Sequence, residues 1–134
     1  MRKRILVVDD EPDVRFALST LLTCKGFEVE EAEDGQKALE AIAVRRFDLI
    51  ILDLLMPHAG GYEVIQRLPP SVREGTPVIL LTAKSEDKDI MKGYALGATY
   101  YITKPFRNRR VVDVTEYLIG DLSAAQHEAL ELRL

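Results

Sequence analysis

The stretch "LIILD", Leu49–Asp53, sets four apolar residues in a row and closes them with an acid. Successive side chains of a strand point to opposite faces, so an unbroken apolar run needs both faces covered. A second run, "VILLT" at Val78–Thr82, has the same character and also ends on a polar residue. Both read as central strands of a parallel sheet. Working outward, Ile5–Val8 and Tyr100–Thr103 supply two more strands. "FEVEEA", Phe27–Ala32, alternates apolar and acidic residues and therefore belongs at an edge.

Helical patterns separate these strands. Val14, Ala17, Leu18, Leu21 and Leu22 fall at i, i+3, i+4, i+7 and i+8, and Gly26 supplies a stop. Asp34 opens a second helix with Ala38, Leu39, Ile42 and Ala43 on one face. Gly61–Leu68 forms a third, ended by Pro69-Pro70, and Ser85 caps a fourth that runs to about Leu96 before Gly97. A fifth carries Val111, Val114, Thr115, Leu118 and Ile119 and stops at Gly120. Five strand–helix units predict a doubly wound α/β domain over residues 1–120, with ligands at the carboxyl ends of the strands. Residues 121–134 form a separate tail. There Ser123 and Gln126 make a capping box for a short extra helix, although Leu130, Leu132 and Leu134 draw no clean stripe.

Bulk composition narrows the classes of function. In 134 residues, 47% hydrophobic and 30% charged, there is room for one domain with a real core. A net charge of −4 argues against wrapping nucleic acid or sitting on anionic lipid. No run reaches the ~18 apolar residues of a membrane span, and "MRKR" leads into too few apolar residues for a signal peptide, so the expected compartment is the cytoplasm. The single cysteine, Cys24, excludes an internal disulfide and reads as a helix packing residue.

Parallel winding would gather the strand ends into one cleft. The first strand delivers Asp9 and Asp10, the third Asp53, the fourth Thr82 and the fifth Lys104. Each has a plain structural explanation. Asp9, Asp10, Glu11 and Asp13 suit the positive end of the first helix, with Pro12 in its first turn, while Asp53, Thr82 and Lys104 fit turns, caps or loops. Nothing about turns or caps, however, requires three acids, a hydroxyl and a lysine to converge.

Three crowded carboxylates raise one another's pKa and call for compensation. A divalent cation of the oxygen-seeking kind, together with Lys104, neutralises them, and Mg²⁺ suits carboxylate ligands and a shared phosphate oxygen. A carboxylate can attack phosphorus to form an aspartyl phosphate. Asp53 comes singly off a central strand and is the better nucleophile, whereas Asp9 and Asp10 form a pair suited to metal. Thr82 and Lys104 are placed to help the phosphoryl oxygens, where charge develops.

These residues resemble the receiver domain of two-component response regulators over about residues 3–119. The resemblance rests on "ILVVDDEP", "DLIILDLLMPHAGGYEV", "PVILLTA" and "GATYYITKPF", in the right order and spacing. It implies a flavodoxin-like strand order 2-1-3-4-5 and a phosphorylation switch. Asp53 would be the phosphoacceptor, supplied by a phosphohistidine on a sensor histidine kinase or a phosphotransfer protein. Mg²⁺ would be held by Asp9, Asp10, Asp53 and the backbone carbonyl of Leu55. Lys104 would pair with a phosphoryl oxygen and join Pro105 through a cis bond. Thr82 would swing toward the phosphoryl group, and Tyr101 would turn inward behind it. The surface of the fourth predicted helix, the fifth strand and the fifth predicted helix would change, and a dimer or output contact would form there. Leu55 and Lys84 would influence the lifetime of the phosphoryl group.

Two departures from that family stand out. Many relatives carry two acids where this chain has Thr99 and Tyr100, and the fifth predicted helix begins "RNRR". Cations oppose the dipole at a helix start, so Arg107, Arg109 and Arg110 form either a solvated face or a basic edge for an acidic partner. Because nothing like an effector domain follows Gly120, and Met1 and the tail look native, the expectation is a single-domain regulator. The alternative is a receiver cut from a longer regulator with a DNA-binding or enzymatic output domain. A metal phosphatase with an aspartyl nucleophile fits less well, since its usual D-x-D pair is missing and no further acid or base is evident. A nucleotide or flavin carrier would want a phosphate-cradling loop where "DDEPD" stands. Turnover catalysis is therefore not expected.

Overall fold

The computed structural model describes residues 2–84 and 86–134. Five strands, β1 (Arg4–Val8), β2 (Glu28–Ala32), β3 (Leu49–Asp53), β4 (Val78–Thr82) and β5 (Tyr100–Thr103), form one sheet in the order β2-β1-β3-β4-β5, every neighbour parallel. Among the described residues seven helices accompany them: α1 (Pro12–Cys24), α2 (Gly35–Val44), α3 (Gly61–Gln66), α4 (Pro70–Gly75), α5 (Asp87–Ala95), α6 (Asn108–Ile119) and α7 (Ala124–Glu131). This is the flavodoxin-like order expected, and the alternating strand β2 does lie at an edge.

The apolar runs split by parity between two cores. Leu6, Val8, Ile50, Leu52, Val78 and Leu80 pack with α2 and α3, while Ile5, Val7, Leu49, Ile51, Ile79 and Leu81 pack with α1 and α6. β3 and β4 are buried along their whole length because helices cover them on both sides. Complete burial of one such Leu or Ile is worth about 2 kcal/mol, so each central strand contributes several kcal/mol to the stability of the domain.

Several local signals act as the sequence suggested. Asp34 caps α2 by accepting from the Lys37 amide at 2.9 Å. Ser123 and Gln126 complete the reciprocal capping box of α7. That helix lies along α6: His127 stacks on Tyr117 with ring centroids 4.3 Å apart, and Leu130 is buried. The capping role read for Ser85 lies outside the described residues.

Other readings need correction. The third helix stops at Gln66, with Arg67 as its cap, short of the Leu68 expected, and Pro69-Pro70 instead begins the short helix α4, where Pro70 occupies a first-turn position and its missing N–H costs nothing. In α2 the buried alanines are Ala38, as expected, and Ala41, whereas Ala43 faces solvent. Cys24 is exposed, not packed, because it falls on the outer face of the last turn of α1, away from Leu18 and Leu22.

Candidate functional site

Register brings the strand ends together. Asp53 pairs with Leu81 across β3 and β4, and Thr82 with Thr103 across β4 and β5. Asp9 follows β1, held by its amide to the Ala32 carbonyl at 3.2 Å, and Lys104 follows β5, its amide on the Thr82 carbonyl at 2.7 Å. Asp9 and Asp53 are buried, whereas Asp10 is exposed at the rim. The Lys104 ammonium reaches Asp9 Oδ2 at 2.9 Å, Glu11 Oε1 at 3.0 Å and Asp53 Oδ2 at 3.2 Å. Residues more than forty positions apart thus meet through one cation.

The remaining carboxylate oxygens are also held. Asp9 Oδ1 accepts from the Glu11 amide at 2.9 Å, and Asp53 Oδ1 accepts from the Leu55 amide at 3.1 Å. The guanidinium of Arg15 donates to the Asp9 carbonyl at 2.6 Å and pairs with Glu31, which steadies the turn between β1 and α1. Beyond Asp53, His58 and Ala59 both take positive φ, 52° and 80°, to turn the chain back toward α3. A side chain at Gly35 or Gly61 would collide with this loop, because an added Cβ would stand 2.1 Å from the Ala59 carbonyl oxygen or 2.6 Å from that of Asp53. These two glycines let the backbone close around the acid.

Charge balance defines what the pocket can do. Carboxylate oxygens of Asp9, Asp10, Glu11 and Asp53 all lie within 4.8 Å of one another. Burial, first of all, raises the Asp53 pKa; the Leu55 amide opposes that, neighbouring Asp9 adds to it, and Lys104 opposes it again. Asp9 is likewise raised by burial, against the pull of the Glu11 amide and Lys104. Burial disfavours the Lys104 ammonium, yet its bonds to Asp9 and Glu11 win and hold it above the usual lysine range. Four carboxylates against one ammonium leave three negative charges. The donor set, all oxygen and largely carboxylate, therefore fits a hard divalent cation such as Mg²⁺.

Thr82 is fully buried, and its Oγ1 accepts from the Lys84 amide at 3.3 Å. Tyr101 already lies inward, 8% exposed, with its hydroxyl donating to the Lys84 carbonyl at 2.7 Å and its pKa pushed up to about 12 chiefly by burial. The Lys104–Pro105 peptide bond is cis. Leu55 is exposed beside the site, and Lys84 pairs with Asp89 at 3.9 Å. Arg107, Arg109 and Arg110 are exposed around the start of α6. Two of them are engaged: Arg109 pairs with Asp113 at 3.9 Å and Arg110 donates to the Tyr100 hydroxyl at 3.1 Å. The basic edge is thus less free than its sequence suggests.

Reading the sequence as local acids missed the part played by Glu11. Its extended backbone at the start of α1, φ −87° and ψ 111°, sends the side chain across to Lys104. The only signal available was its adjacency to Asp9 and Asp10.

Comparison with known proteins places this geometry. The family model for the response regulator receiver domain matches residues 5–116. The chain belongs to that family. It is 45% identical over 103 residues to the transcriptional regulatory protein DltR of Streptococcus agalactiae, covering 77% of this chain and 46% of that protein. It is 39% identical over 112 residues to the DNA-binding response regulator MtrA of Mycolicibacterium smegmatis, covering 84% and 48%. The chain therefore spans about half the length of these curated relatives. Among solved structures, the chemotaxis response regulator CheY4 of Vibrio cholerae superposes with a TM-score of 0.83 at 32% identity, covering 89% of this chain and all of that one. Among the described residues no helix is long and apolar enough to cross a membrane.

Proposed function

We propose that this receiver domain is a cytoplasmic phosphorylation switch in which Asp53 accepts a phosphoryl group from a sensor histidine kinase. The observation that carries the reading is the triple contact of Lys104 with Asp9, Glu11 and Asp53. It brings the nucleophile, an acidic metal-binding cluster and a cation for the phosphoryl oxygens into one pocket. Asp9, Asp10, Asp53 and the Leu55 carbonyl would hold Mg²⁺, which when bound neutralises charge on the phosphoryl oxygens. Asp53 attacks phosphorus, and the electron pair of the broken bond leaves with the donor. Lys104 then holds a phosphoryl oxygen, and Thr82 turns its hydroxyl toward another. Tyr101 and the Lys84 carbonyl couple that movement to α5, β5 and α6, the surface offered to an output partner or a second copy. A groove of about 420 Å³ runs there, lined in part by Ile90, Tyr101, Phe106, Arg107 and Arg110. The basic start of α6 favours an acidic partner.

Labelling by acetyl phosphate in Mg²⁺, followed by mass spectrometry, tests the assignment. Wild type should take up one acid-labile phosphoryl group per chain and Asp53→Ala none. Persistent labelling at another residue sinks the choice of Asp53. Continuous phosphate release would favour a hydrolytic enzyme. For the output surface, pull-downs compare the beryllofluoride-treated and untreated domain, with Arg107, Arg109 and Arg110 reversed to Glu. Unchanged capture after reversal removes the acidic-partner idea.

A second reading has its own support. The curated relatives are about twice as long as the matched region, and two carry names of transcriptional or DNA-binding regulators. A receiver that controls an attached output domain is therefore the alternative to one acting through a separate partner. The length of the protein expressed from its gene, measured by intact mass, decides between them.

A further inference from the structure

An ammonium group has three N–H donors, and in Lys104 each has a carboxylate partner: Asp9, Glu11 and Asp53, at 2.9, 3.0 and 3.2 Å. A phosphoryl oxygen arriving at Lys104 must displace one of them. Asp9 is buried, and its second oxygen is held by the Glu11 amide. Asp53 is the group that carries the phosphorus, and its other oxygen is held by the Leu55 amide. Glu11 differs from both: its side chain is 59% exposed, it enters from the mouth of the pocket, and release returns it to water. The cost of letting it go is that of an exposed ion pair, the smallest of the three.

We propose that Glu11 is a positioning residue, a placeholder that occupies the phosphoryl-oxygen position on Lys104 in the resting domain and is displaced when Asp53 is phosphorylated. The inference rests on the reading of Asp53 as phosphoacceptor and adds a step to it. Before transfer, Glu11 keeps the third donor of Lys104 satisfied and the ammonium aimed into the pocket. During transfer the bond from phosphorus to the donor's leaving atom breaks as the bond to the Asp53 oxygen forms. Lys104 exchanges the Glu11 carboxylate for a phosphoryl oxygen. Glu11 thus sets how readily the site accepts a phosphoryl group, without touching phosphorus.

The test measures the second-order rate constant for labelling by phosphoramidate at saturating Mg²⁺. Glu11→Gln removes the charged competitor and should raise the constant about twofold to fivefold, the range set by the worth of an exposed ion pair. Asp13→Asn is the control, since Asp13 is an exposed acid in the first turn of α1 that makes no bond to Lys104. It should leave the constant within about 1.5-fold of wild type, by the same scale for exposed charges. Calorimetric titration of Mg²⁺ into the same proteins should show less than a threefold loss for Glu11→Gln. An unchanged labelling rate in Glu11→Gln overturns the placeholder role, as does an equal gain in Asp13→Asn, which would mark general repulsion of the donor. A tenfold or larger loss of Mg²⁺ affinity also overturns it, by making Glu11 a ligand. A wild-type chain that takes no label at all brings down the phosphoacceptor reading, and this inference with it.

Discussion

The two ends of the sheet use the same residue types to opposite effect. At the amino ends of the strands Arg4 pairs with Glu28 at 3.3 Å, and farther along the edge strand Arg45 pairs with Glu30 in the middle of β2 at 2.7 Å, one cation for one acid, all partly open to water. At the carboxyl ends a single lysine serves three carboxylates, two of them buried. The first arrangement is balanced and worth little, because water screens it. The second holds surplus negative charge in a poorly solvated place, so it answers strongly to any added cation or removed charge. The pocket differs from a surface ion pair in its imbalance, not in its ingredients.

If that contrast is right, perturbing the two ends should give responses of very different size. The largest is expected on stripping Mg²⁺ with chelator, which should slow labelling of Asp53 by acetyl phosphate about 100-fold or more, the worth of several kcal/mol of charge neutralisation. Next, Lys104→Ala removes the cation that Asp9 and Asp53 share and should cost about 3 kcal/mol in metal-free urea unfolding at pH 7. A loss below 1 kcal/mol would mean that the buried acids do not depend on it.

Asp53→Asn should act in the other direction, stabilising the metal-free domain by about 1 kcal/mol at pH 7 by taking a buried charge from beside Asp9. The sign has a pH signature. The Asp53 pKa is raised in the folded protein, chiefly by burial. A carboxyl group raised in this way favours folding fully below its unfolded value of about 4, and that contribution is lost as pH rises through the raised folded value. Wild type and Asp53→Asn should therefore match near pH 4 and separate as the pH climbs, with thermal unfolding at stepped pH as the measurement. Saturating Mg²⁺ should close the gap. The smallest effect belongs to the amino end: Glu28→Gln should change stability by less than about 0.5 kcal/mol and show no dependence on Mg²⁺.

Much of the fold could be read from pattern because burial on two faces and burial on one leave different periodicities. "LIILD" and "VILLT" announce central strands, and β2, with its alternating acids, announces an edge. Helix α4 escaped because Pro69-Pro70 reads as an end and serves as a beginning. Cys24 was misjudged because composition ranks cysteine as buried while its position in the last turn of α1 turns it outward. In the site, Asp9, Asp53, Thr82 and Lys104 were legible as strand-end residues. Glu11 was not, since its role depends on an extended turn whose direction no local rule supplies.

Local chemistry, then, was enough to specify which segments become strands, which residues close them, and that acids and a lysine would stand at the carboxyl ends of the strands. The partition of roles among those acids came only with the folded chain. Whether a carboxylate is buried or exposed, and which lysine proton it receives, depends on groups far away in sequence: the Leu55 amide on Asp53, the Glu11 amide on Asp9, and Lys104 arriving from β5. Desolvation and Coulomb energy are properties of the assembled pocket, and no single segment carries them.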